Sequence, residues 1–179
     1  MKQDRSHRGM EDIIKKGWDD KAGPNESPDE LLKDAVFALR RDISATRHQF
    51  ENPDGSVRRA DLKGGTGSFK SIEEVNAWHD DLVKKCREQR TLLSDALVHV
   101  EHEVLPKMEK PTTQYLNQVG GPYNYVAYLL AREVSKVVAS VEQLDDIQRD
   151  FMRIFWHVSG WEGFAHDVER RVGRKETKE

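Results

Sequence analysis

Asp95, His99 and His102 fall within about 60° of one helical face when successive residues turn by about 100°, and Glu103 lies beside them. Imidazoles and carboxylates grouped in this way suit a divalent metal or a polar ligand, so these four residues form the candidate metal or ligand site. Their sector points away from the apolar seam of its own helix, so another element must cover it before the ligands leave water. A second group carries binding chemistry. Arg149, Met152, Arg153, Trp156, Gly160 and Gly163 lie roughly opposite the apolar stripe of the last segment. Tryptophan and arginine dominate binding hot spots, and glycines admit a partner backbone closely. These are the candidate partner-binding residues. No nucleophile–base pair emerges, because Cys86 and His79 stand two helical turns apart, beyond hydrogen-bond reach. Together with Gln89 they sit on an apolar seam, where a polar group can set register and a thiol packs as a small core residue. Lys70-Ser71 follows a glycine-rich stretch from Gly64 to Ser68, but a phosphate loop requires glycine before the lysine and Phe69 stands there. No catalytic residue and no cofactor is expected.

Two family patterns touch these residues. His99-x-x-x-Glu103 resembles one element of hemerythrin-like metal sites, without the His-x-x-x-His pair that accompanies it there. None of the seven histidines has glutamate three positions before it, so the Glu-x-x-His repeat of di-iron bundles is absent. Arg41 and His48 resemble the Arg-x(4–6)-His pattern of HEPN ribonucleases, which are small α-helical domains. That resemblance implies RNA binding or cleavage as an alternative function.

The elements that must position these groups read as helices. Tyr123, Leu130, Val137, Leu144, Phe151, Val158, Ala165 and Val172 repeat every seven residues, which predicts a long helix packed along one face. It covers about 123–158, and extends to 172 if Ser159–Gly163 only kinks it. Ser71 and Glu74 form a capping box that starts another long helix over about 71–105, with a seam of Ile72, Val75, His79, Leu82, Cys86, Gln89, Leu93, Ala96 and Val100. Ser27-Pro28-Asp29-Glu30 starts a third, which Asn52-Pro53-Asp54-Gly55 ends. A short helix is expected over 10–20. No segment alternates with the period of a strand. The expected fold is an all-α bundle of four to five helices, two of them long. Its domain plan is a disordered start at 1–9, one helical domain over 10–172 with a mobile loop near 52–70, and a charged tail at 173–179.

Composition agrees with helices that bury one stripe each: 36% of the 179 residues are hydrophobic and 34% charged. The formal net charge of −3 offers nucleic acid no global field, so a nucleic-acid partner is not expected. The longest apolar run, Val126–Ala131, is too short to span a bilayer. One cysteine and a polar N-terminus suggest a cytoplasmic protein. With a long stripe, a tryptophan–arginine face and no convergent chemistry, the expected function is a non-enzymatic helical interaction or assembly module. It would bind a protein partner or self-associate through coiled-coil-like helices. The alternative is a metal- or ligand-binding bundle, in which an enzyme would use Asp95, His99, His102 and Glu103.

Overall fold

The computed structural model describes residues 26–59, 67–156, 158 and 160–173, apart from the side chain of His48. The expected disordered start, the helix at 10–20, the centre of the 52–70 loop and residues 174–179 lie outside them.

Helix α1 (Pro28–Ala45) begins where the sequence indicates, with proline in the first turn and Asp29 and Glu30 beside the positive end of the helix dipole. The capping box is not formed: Ser27 has extended backbone, but its side chain makes no cap hydrogen bond. Leu32, Ala35, Val36, Leu39 and Ile43 recur at three- and four-residue intervals and are buried along one face. A single turn, α2 (Arg47–Phe50), leads to a reversal at Asn52–Gly55, where Glu51 pairs with Val57 in an isolated antiparallel bridge. Glu51 is buried, and Arg87 and Arg90 reach it from the next helix, Arg90 at 3.0 Å. Burial pushes its carboxyl upward, but the hydrogen bonds from the two arginines outweigh that and hold it below the usual carboxylate range.

Helix α3 (Ile72–His99) starts at the predicted capping box. The Ser71 hydroxyl accepts from the Glu74 amide at 3.2 Å, and the Glu74 carboxylate accepts from the Lys70 amide at 2.6 Å. Most of its expected seam is buried, but Ile72 is exposed. Beyond His99 the chain widens into a π-helical turn over Val100–Val104 and then tightens into a 3-10 turn at Leu105–Lys107. Pro106 explains the change, since it cannot donate to the carbonyl four residues back and its ring crowds that carbonyl.

The second long helix is not continuous. After a short α4 (Thr113–Gln118), helix α5 (Pro122–Val137) starts at Gly121, whose φ of +100° favours glycine. It ends at Val138, where ψ of 131° makes the backbone extended. Ser140 then caps α6 (Val141–Asp150): its hydroxyl accepts from the Gln143 amide at 3.1 Å, while the Gln143 side chain accepts from the Ala139 amide at 2.8 Å. The single turn α7 (Met152–Phe155) and helix α8 (Trp161–Val172) follow. The seven-residue repeat therefore runs through three packed helices rather than one, and Val137 turns outward, 59% exposed, as α5 ends.

Helix α5 is the centre of the bundle. Val126, Ala127, Leu130, Ala131 and Val134 are fully buried within it. It packs on α1, α3 and α8, and α6 closes the gap between α3 and α8. Arg171 near the end of α8 donates to the carbonyls of Ser135 and Val138, satisfying acceptors that the end of α5 leaves unpaired. The described residues form an all-helical fold, and no helix among them is long and apolar enough to cross a membrane.

Candidate functional site

The bundle surface carries two grooves of similar size with contrasting chemistry. The first, about 600 Å³, lies between α3 and α5. Leu92, Ala96 and Val137 give it apolar surface, while Glu88, Asp95, His99, Glu133 and Lys136 supply charge and imidazole. It brings in two of the four candidate ligands, Asp95 and His99. The other two go elsewhere: Glu103 is held by Lys107 at 2.6 Å, and the exposed His102 stands 3.6 Å from Glu101. The π-helical turn breaks the regular 100° step assumed for residues 95–103, so one helical face no longer holds all four. Among the described residues, no group of three or more His, Cys, Asp or Glu side chains could hold a metal ion.

Glu133 is the groove's least expected member. It is a carboxylate with only 8% of its side chain exposed, on a helix otherwise buried through apolar residues. Three basic groups surround it: Lys136 at 2.7 Å, Arg132 at 3.6 Å and His99 at 3.7 Å. Its sequence signal was an acid and two bases, Arg132-Glu133-x-x-Lys136, inside the most apolar stretch of the chain.

The second groove, about 590 Å³, sits at the corner where α7 gives way to α8. Phe155, Val158 and Trp161 form its buried wall, Met152 and Trp156 its exposed edge, and Gly160 and Gly163 its open end. Local sequence explains the corner. Phe151, the residue between α6 and α7, departs from helical geometry at φ −116°, ψ 25°. Gly160 takes φ +96°, a left-handed conformation that bends the chain into α8 and that a side chain at this position would resist. The result separates two nearby tryptophans. Trp161 is buried and stacks on Phe155 with ring centroids 4.6 Å apart. Trp156 is 69% exposed.

Of the candidate partner-binding residues, Met152, Trp156, Gly160 and Gly163 line this groove together. Arg153 is exposed on the same turn. Arg149 is turned away, bonded to Asp146 at 2.8 Å and Asp150 at 2.9 Å. Phe155, Val158 and Trp161 belong to the groove as well, although their spacing marks them as core; both roles hold, since core residues form its wall. Trp78 is also exposed, but it lies against Phe69 with ring centroids 5.6 Å apart, whereas Trp156 has no ring partner among the described residues.

The remaining candidates do not converge. Arg41 faces solvent next to Asp42, and the His48 side chain is outside the described residues. Cys86 is buried, and burial pushes its thiol up to about 11, so it is not a nucleophile at neutral pH. The Nδ1 of His79 and the Oε1 of Gln89 are buried without hydrogen-bond partners among the described residues. Compared with protein families, curated proteins and solved structures, the chain matches none.

Proposed function

We propose that this protein is a non-enzymatic interaction module that docks a partner polypeptide at the α7–α8 corner. One observation carries the reading: Trp156 projects 69% exposed from the edge of an apolar groove of about 590 Å³. A large aromatic side chain left in water beside a concave apolar wall is unfavourable in a free monomer and favourable once covered. An aromatic anchor next to a well-packed recess is the arrangement that concentrates binding energy in interfaces. The corner's chemistry also suits binding rather than turnover, since among the described residues Glu162 is the only ionisable side chain lining it.

Affinity capture from cells expressing the protein tests this. Wild type is compared with Trp156→Ala, which removes the anchor, and with Gly163→Leu, which fills the groove. A Cβ at Gly163 meets nothing within 4 Å, so a side chain can be attached there without a clash at its first atom. Loss of the same captured polypeptides in both variants, at unchanged melting temperature, is expected. An identical captured set from all three proteins would overturn the reading.

A further inference from the structure

We infer that the partner at the α7–α8 corner is a second copy of this chain, docked about a two-fold axis; this rests on the docking reading above. A two-fold interface uses one patch twice, so each projection must find its recess within the same patch. The corner meets that demand. Trp156 projects, and the recess walled by Phe155, Val158 and Trp161 lies beside it. At about 590 Å³ the recess has room for an indole, and Gly163 leaves its end unobstructed.

The charges show the same self-complementarity. Arg149 is paired with Asp146 and Asp150, and Arg170 with Asp167. Arg153 on α7 and Glu162 on α8 are both exposed, and neither has an ion-pair partner among the described residues. Among the described residues of α7 and of the first turn of α8, each copy thus presents one cation and one anion without an ion-pair partner, Arg153 on the turn that carries Trp156 and Glu162 on the groove wall. A two-fold axis that sets α7 of one copy against α8 of the other forms two Arg153–Glu162 pairs, one on each side of the axis.

Size sets the strength. Nine residues line the groove, against roughly 20–30 a side in a standard stable interface. The dimer is therefore weak and concentration-dependent, with a dissociation constant of about micromolar or above.

Sedimentation equilibrium of the full chain from micromolar to millimolar concentration tests this. The average mass should rise from 20.7 kDa toward twice that value. Arg153→Glu and Glu162→Arg each place like charges opposite one another, and each should weaken the dimer about tenfold. An equimolar mixture of these two variants should associate more tightly than either alone, because each then meets its opposite. Gly163→Leu should stay monomeric at an unchanged melting temperature. A wild type that is monomeric throughout, or a mixture no tighter than its components, overturns the second-copy assignment. Capture that still depends on Trp156 would then show a heterologous partner, so the two readings fail separately.

Discussion

The α3–α5 groove and the α7–α8 corner enclose nearly the same volume, about 600 and 590 Å³, yet they differ in what they leave unsatisfied. The first has the chemistry that a sequence reader notices: two carboxylates and an imidazole along α3, facing a buried glutamate on α5. Its one buried carboxylate is already compensated within the chain. Glu133 has Lys136, Arg132 and His99 around it, and outside the groove Glu51, at the reversal after α2, has Arg87 and Arg90 from α3. Among the described residues the corner has almost no titratable chemistry, but it exposes an indole and a thioether. Partner-binding potential follows unsatisfied surface rather than the number of polar groups, which is why the functional reading rests on the corner.

The largest effect should separate the corner's wall from its edge. Trp161→Ala removes a buried, stacked ring and should cost about 3–5 kcal/mol in urea denaturation. Trp156→Ala removes an exposed one and should change stability by no more than about 0.5 kcal/mol. Equal losses would mean that Trp156 is structural and the corner is ordinary core.

Next comes the compensated side. Glu51→Ala should cost about 2 kcal/mol, the scale of hydrogen bonds to a charged group. Because the folded carboxyl sits below its ordinary value, its contribution is present above that value and is lost as pH falls through the lowered one. Wild-type stability should therefore decline on acidification through that range, and the variant's decline should be shallower; parallel profiles would remove Glu51 from the account. Ser140→Ala should cost about 1 kcal/mol, because it deletes the cap that starts α6 and ends the inward run of α5. The smallest effect belongs to Glu133. Its neighbours are partly exposed and can return to water, so Glu133→Met should stay within about 1 kcal/mol of wild type. A loss above about 3 kcal/mol would show that this carboxylate organises the α3–α5 groove.

The helical class, the starts of α1 and α3 and most of the core were legible in the sequence because each rests on a local signal: a capping residue, a proline in the first turn or an apolar stripe. The division of the second long helix was written there too. Ser140-Val141-Glu142-Gln143 has the same capping form as Ser71–Glu74. It was overridden by a seven-residue repeat that does not distinguish one helix from successive helices facing the same core. The dispersal of Asp95, His99, His102 and Glu103 was not legible, since it depends on a π-helical turn forced from Pro106. Nor was the contrast between Trp156 and Trp161. Their fates part at Gly160, and a glycine's position alone does not say which way the chain leaves it. Glu133 was hidden for a different reason: its neighbour His99 lies 34 positions away on another helix, and only the fold brings them together.

The claim that copies of the chain associate at the corner, and not at the α3–α5 groove, is tested most directly by sedimentation equilibrium on three proteins at matched concentrations: wild type, Trp156→Ala and Glu133→Met. Wild type and Glu133→Met should gain mass together as concentration rises, while Trp156→Ala stays at the monomer mass with an unchanged melting temperature. Association that survives the loss of Trp156, or that disappears with Glu133, would contradict the account.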